Sequence, residues 1–259
     1  MLIIIKMAIY KLLPFRNSFI TLMRYGIVKI AGFIKTTLLD WDGMVACTVY
    51  MAGCNFRCPC CHNAAIVMNA DEVEGINENI VLDYIRENSD FIDGVVVSGG
   101  EPTMNEDLHK FLRKIRSVGI KVKVDTNGMY PERLDDLIGS GLVDMIAMDV
   151  KTSLNERYSS AAGTNADVEK IKRSIDLIIN SGVDYEFRTT AVPIFVKPDD
   201  IKNICENIKG AKRYRIHQFR NKVTIDDSLT VLDPYPESKL MEMADIAKNY
   251  VKDVKIRGI

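Results

Sequence analysis

Short apolar runs alternate with stretches of helical periodicity along most of the chain. The runs Val45–Met51, Gly94–Ser98, Ile120–Asp125, Val143–Val150, Asp184–Ala191 and Arg213–Phe219 read as six strands, with Ile27–Ile34 and Val45–Met51 forming an early strand pair. Between them apolar residues fall at helical spacing, as at Leu108, Phe111, Leu112 and Ile115. Gly119 and Gly182 end helices, while Pro131 and Pro198-Asp199-Asp200 begin them. Strand and helix in alternation predict a parallel β/α domain. About 40 residues follow Phe219, enough for a helix near Pro236–Val251 and a final short strand but too few for two further β/α units. If this sheet curls into a barrel, it stays open along one side.

Strand parity adds a second expectation. Strands buried on both faces read as nearly continuous Val, Ile and Leu, and three of these strands do not. Lys121, Lys123 and Asp125 alternate with Val122 and Val124; Glu186, Arg188 and Thr190 alternate with Tyr185, Phe187 and Thr189; Arg213, Arg215 and His217 alternate with Tyr214 and Ile216. With the apolar parity packed under helices, the charged parity points toward a lumen that is wet or filled by a polar ligand. The alternative makes all three edge strands with a solvated face, which is too many for one parallel sheet.

The 259 residues are 47% hydrophobic, enough for a sizeable core, and a formal net charge of -1 supplies no global field toward DNA or an anionic membrane. The basic stretch Lys209–Lys222 changes little, because its charges alternate in parity and no aromatic stacking platform accompanies them. No nucleic acid or membrane partner is expected. The opening MLIIIKMAIYKLLPFRNSFITLMR is interrupted by Lys6, Lys11, Pro14 and Arg16, short of the roughly 18 apolar residues of a membrane span. Residues 1–24 are read as an N-terminal extension and 25–259 as one domain, with a start at Met23 favoured over an amphipathic surface segment or a weak signal peptide.

Four of the six cysteines fall in CNFRCPCCHN, Cys54 to Asn63, directly after a strand. So tight a cluster is a poor disulfide framework, and reduced thiols point to a cytoplasmic protein. Cys54, Cys58 and Cys61 form C-x3-C-x2-C, which closes neither a structural zinc site nor a plant-type ferredoxin site. Three thiolates leave one iron of a [4Fe-4S] cluster without a protein ligand, free to bind a substrate. Together with Gly99-Gly100-Glu101-Pro102, Asp125-Thr126-Asn127-Gly128 and Asp149-Val150-Lys151, this motif resembles the radical S-adenosylmethionine (SAM) superfamily, and within it the activating enzymes of glycyl-radical proteins. The run KIAGFIKTTLLDWDG before the cysteines is most similar to activating proteins of anaerobic ribonucleoside-triphosphate reductases. The resemblance extends from about Gly26 to the C-terminus.

The resemblance implies an α/β fold, a partial (β/α)6 TIM-like barrel open on one side, with Cys54, Cys58 and Cys61 as catalytic cluster ligands. Cys60 stands where the superfamily typically carries an aromatic residue, and is read as a small apolar stand-in. The rival reading has it replace Cys61 or cap the open iron. Gly99 and Gly100 let backbone approach SAM, and Glu101 accepts from the methionyl ammonium. Alone, the same residues read equally well as a Gly-Gly turn before a helix-opening Glu-Pro. By resemblance Lys151 holds SAM's carboxylate, while Asp125, Thr126 and Asp149 gather ribose hydroxyls or a monovalent cation; turn chemistry also accounts for Asp-Thr-Asn-Gly. Arg188 and His217 join from the charged parity, His217 reading equally as a satisfied core histidine. His62 and Asn63 are candidates for contacts to adenine. The implied activity is reductive cleavage of SAM at the cluster and installation of a glycyl radical on a partner, anaerobic ribonucleotide reductase, with flavodoxin or ferredoxin as reductant. Two alternatives stay open: a radical SAM enzyme acting on a small anionic molecule, and a non-enzymatic iron-sulfur electron-transfer protein.

Overall fold

A computed structural model describes residues 28–259. The extension expected at residues 1–24 lies outside the described residues. β1 (Ile30–Thr37) and β2 (Ala46–Met51) pair antiparallel. From there the chain climbs through α1 (Ala64–Met68) and α2 (Glu78–Glu87) to β3 (Gly94–Gly99), and through α3 (Leu108–Arg116) to β4 (Lys121–Thr126). α4 (Pro131–Gly139) leads to β5 (Met145–Asp149), and α5 (Tyr158–Ala162) with α6 (Val168–Asn180) to β6 (Asp184–Ala191). α7 (Pro198–Asn207), β7 (Arg213–Gln218), α8 (Glu237–Ala247) and β8 (Asp253–Arg257) complete it. The eight strands lie in sequence order, all parallel after the first pair, with β1 and β8 as separate edges. This is the expected partial barrel, left open between its edges.

The local signals act where the sequence places them. Pro131 opens α4 and Pro198 opens α7, whose Asp200 carboxylate accepts from the Lys197 amide. α3 buries Leu108, Phe111, Leu112 and Ile115 along one stripe. These side chains join Val95, Val97, Val122, Val124, Ile146, Phe187 and Tyr214 from the sheet's outer face in one continuous core between sheet and helices.

The charged parity faces the lumen, but its lower half is packed with protein, not left for water or a ligand. The loop between β1 and β2 folds beneath the strands and inserts Trp41 against Ala46, Val96 and Met145. A side chain at Gly94 would bring a Cβ within 2.7 Å of the Trp41 ring. Just above, Lys123 Nζ donates to the Asp40 carbonyl at 2.6 Å and lies 3.3 Å from Glu186 Oε1. Asp42 of the same loop pairs with Arg257 on β8, clasping the far edge strand to the loop at the other edge. Parity tells which way a side chain points; it carries no information about a distant loop folding into the space.

Candidate active site

The loop carrying the cysteines leaves β2 at Met51 and is fastened largely through main-chain atoms. Gly100 N donates to Met51 O and Glu101 N to Gly53 O, both at 2.9 Å, tying the loop to the end of β3. Arg57 N donates to Ala162 O at 2.9 Å, tying it to α5, and the amides of Ile225 and Asp226 both reach Pro59 O at 3.0 Å. Asn63 Nδ2 donates to Gly99 O at 2.9 Å. Two glycines make this seat fit. A Cβ on Gly100 would stand 1.7 Å from Gly53 O, and one on Gly163, whose φ is +64°, would stand 1.9 Å from Arg57 O. The backbone approach that demands Gly100 is therefore that of the cysteine loop itself. Gly163 lies outside every motif singled out in the sequence, since only the folded chain brings it to the loop.

Above the loop, at the C-terminal ends of the strands, lies a cavity of about 210 Å³. Cys54, Cys58, Cys60, Cys61 and His62 line it from the loop. Gly99, Gly100 and Glu101 line it from β3, Asp125 and Thr126 from β4, and Asp149, Lys151 and Arg188 from β5 and β6. His217 is not among the lining residues; its register partner on β6 is Thr190, which is. Burial, reinforced by the Arg188 charge, lowers its pKa to about 4. Asn127, quoted in a motif but given no role from sequence, donates to Asn55 Oδ1 at 2.8 Å and lies 3.8 Å from Cys54 Sγ.

Burial pushes the thiols of Cys54 and Cys58 up to about 12. Thiolates are stable there only against a compensating charge, such as a metal centre. Among the described residues no three Cys, His, Asp or Glu side chains converge on a point as a single ion requires, yet four thiols border one cavity. Soft donors spaced around a volume suit a multinuclear iron-sulfur group. Cys60 packs against the cluster of Val192, Phe219 and Leu229.

Opposite the thiols, charges alternate. Glu101 is buried; its Oε1 accepts from Thr103 N, Thr103 Oγ1 and Thr126 Oγ1 at 3.0, 2.5 and 2.8 Å, and its Oε2 from Asn127 N at 2.7 Å. Burial raises its pKa against the opposing pull of these bonds. Asp125 Oδ2 accepts from Ser98 Oγ at 2.9 Å and pairs with Arg188 Nη1 at 3.1 Å. Arg188 Nε meets Asp149 Oδ1 at 2.7 Å, and Lys151 Nζ meets Asp149 Oδ2 at 3.1 Å. Burial alone would raise the Asp149 carboxyl, but these two cations hold it well below the usual carboxylate range.

Fold and cavity define a class: an open β/α barrel with a thiol cluster and alternating charges at the C-terminal ends of its strands. The chain belongs to the radical SAM superfamily, whose profile matches residues 48–208. Membership implies a [4Fe-4S] cluster and SAM. A Methanocaldococcus jannaschii protein named "Putative glycyl-radical enzyme activating enzyme" is 32% identical over 237 residues, covering 89% of this chain and 96% of that one. The pyruvate formate-lyase-activating enzyme of Clostridium pasteurianum is 23% identical over 245 residues, 87% of this chain and 98% of that one. Among solved structures, Streptococcus suis SuiB bound to precursor peptide SuiA superposes with a TM-score of 0.61 at 15% identity, over 82% of this chain and 48% of that one. Coproporphyrinogen III oxidase from Escherichia coli gives 0.55 at 14%, over 76% and 50%. The chain spans about half the length of these two structures, which are alike in fold alone. Among the described residues, no helix is long and apolar enough to cross a membrane.

Proposed function

We propose that this protein is a cytoplasmic activating enzyme that cleaves SAM reductively and installs a glycyl radical on a partner enzyme, anaerobic ribonucleotide reductase, drawing electrons from flavodoxin or ferredoxin. The observation that carries the reading is the cavity, where the C-x3-C-x2-C thiols face paired charges at the strand ends. Similarity running over nearly the full length of two proteins named as activating enzymes supports the choice of partner class.

In this reading Cys54, Cys58 and Cys61 hold the cluster. The apolar contacts of Cys60 support its role as a space-filler. When bound, the cluster supplies the electron that splits SAM into methionine and the 5′-deoxyadenosyl radical. Lys151, braced by Asp149, offers its ammonium to SAM's carboxylate. Glu101, its orientation set by four accepted hydrogen bonds, presents a remaining Oε2 lone pair to the methionyl ammonium. Thr126 and the aspartates face the ribose, and His62 the adenine, with Gly99 and Gly100 forming the floor. His217 acts from beside the cavity, packed near Arg188. A monovalent cation at Asp125 and Asp149 has to share them with the Arg188 guanidinium, which already bridges the two. The lumen cations weigh against a small anionic substrate, since Lys123, Arg188 and Arg215 are each committed to carboxylates.

The test is anaerobic. Protein reconstituted with iron and sulfide is reduced with dithionite in the presence of SAM and the large subunit of an anaerobic ribonucleotide reductase. A doublet EPR signal is expected on the large subunit, and deuterium placed at its glycine Cα should appear in 5′-deoxyadenosine. SAM cleavage without either signal hands the case to a small-molecule substrate; no cleavage at all leaves an electron-transfer protein.

A further inference from the structure

Ion pairs continue below the cavity in alternating sign. Lys123 Nζ stands 3.8 Å from Asp125 Oδ1 and 3.3 Å from Glu186 Oε1. Glu186 Oε2 in turn lies 3.6 Å from Arg215 Nε, and Arg215 Nη2 pairs with Asp253 at 2.7 Å. Lys123, Glu186 and Arg215 are all buried, and none of them lines the cavity. Asp125 joins this column to the site. Its Oδ2 meets Arg188, whereas its Oδ1 is buried and accepts no hydrogen bond among the described residues.

Packing alone does not call for charge at this level. Lys123 stands in register with Val96 and Met145, so the strands on either side fill its layer with apolar side chains. Apolar replacement of a buried ion pair is often neutral or stabilising, which makes stability a weak account of these charges. Their position supplies a better one. Glu186 and Arg188 are two residues apart on β6 and face the same side. Lys123 is shared between Glu186 and Asp125, and Asp125 between Lys123 and Arg188.

We propose that Lys123 and Glu186 are positioning residues for the SAM site, acting through Asp125 on Arg188 and from there on Asp149 and Lys151. The proposal rests on the reading of the cavity as a SAM site. While Glu186 and the Asp40 carbonyl hold Lys123 back, the ammonium stays beyond hydrogen-bond reach of Asp125, and the carboxylate is left to Arg188. With the charge of Glu186 removed, Lys123 moves onto Asp125 and competes with Arg188 for it. Arg188 then loses one of its two anchors, and the Asp149–Lys151 pair that meets the ligand loosens with it.

The experiment is SAM titration of anaerobically reconstituted protein by calorimetry, with iron and sulfide per chain measured alongside. Glu186→Gln is expected to weaken SAM binding about tenfold with cluster content unchanged. In an Arg188→Lys background, where one guanidinium no longer bridges both aspartates, the same change should weaken binding less than twofold. A merely structural Glu186 would act equally in both backgrounds, and that result, or unchanged affinity in Glu186→Gln, overturns the proposal. If Glu186→Gln does not fold, the double variant Lys123→Met/Glu186→Gln removes both charges and keeps the layer neutral. With no ammonium left to compete with Arg188 for Asp125, it should bind SAM within about twofold of the wild type, and a tenfold loss there overturns the proposal. Wild-type protein that fails to bind SAM overturns the reading of the cavity itself.

Discussion

Gly163→Ala probes how the cysteine loop is seated, from a position far along the sequence from the Arg57 main chain it touches. Gly163 caps α5 with φ +64°, and an added Cβ would lie 1.9 Å from Arg57 O and 2.5 Å from Arg57 C, both main-chain atoms. Contacts under 3.0 Å are essentially never made by real Cβ atoms, so loop and helix must part by about 1 Å. Alanine in the left-handed region costs roughly 1–2 kcal/mol. Overpacking against backbone adds roughly 1–3 kcal/mol, and the strained Arg57 N to Ala162 O bond about 1 kcal/mol. A total on the order of 3–6 kcal/mol lowers the Tm of a domain this size by roughly 6–24 °C. Gly141→Ala is the control, because Gly141 has the same φ of +64° with nothing within 4 Å of its added Cβ. It should cost only the conformational part. Thermal melts of the cluster-free proteins compare the stabilities, and iron per chain after reconstitution compares the loops. Equal Tm shifts and equal iron in the two variants would refute the argument that the α5 cap seats the cysteine loop.

Alanine at Cys54, Cys58 or Cys61 should abolish iron-sulfur absorbance while Cys60→Ala keeps it; iron lost from Cys60→Ala and retained in Cys61→Ala would reverse the assignment. Lys151→Ala should weaken SAM binding by a charge-assisted hydrogen bond, about 1.5–3 kcal/mol, or roughly 10–150-fold, without loss of the cluster. Asp149 keeps Arg188 at 2.7 Å in that variant, so an unchanged isotherm would remove Lys151 from the site. His217 has a folded pKa of about 4 against an ordinary 6.5, first through burial and then through Arg188. The unfolded chain therefore binds a proton that the folded one refuses, and this contribution, intact above pH 6.5, is lost progressively as pH falls toward 4. His217→Gln should flatten the stability profile across that window in urea titrations, and parallel profiles would show that His217 is not the group responsible.

Strand positions were legible because period-2 alternation survives in the finished sheet: Val122, Val124, Phe187 and Tyr214 went to the core, and Lys123, Glu186 and Arg215 to the lumen. The final helix and strand were legible from the length left after Phe219. The lumen's contents were not, because Asp40 and Trp41 enter it from a hairpin loop whose own residues carry no periodic signal. Motif spacing named most of the residues that line the cavity, since strand ends in a parallel barrel all point one way. It could not show that Arg188 is shared between two aspartates, that Glu101 is held by four hydrogen bonds from neighbouring turns, or that His217 stands beside the cavity instead of lining it. Those are facts of side-chain reach, decided by packing after the strands are placed.

Fastening the cysteine loop by carbonyls and amides has a consequence for how such a protein can change. Met51 O, Gly53 O, Arg57 N and Pro59 O are supplied by any residue but proline at position 57 that follows the same path, so apart from the buried Phe56 and the Asn55 amide the seat depends little on which side chains stand between the thiols. Arg57 is exposed, and its guanidinium donates to the Cys54 and Phe56 carbonyls. Substitutions there can reshape the surface offered to another protein while the thiols stay where they are. Recognition and cofactor geometry, although written in the same ten residues, are free to drift apart.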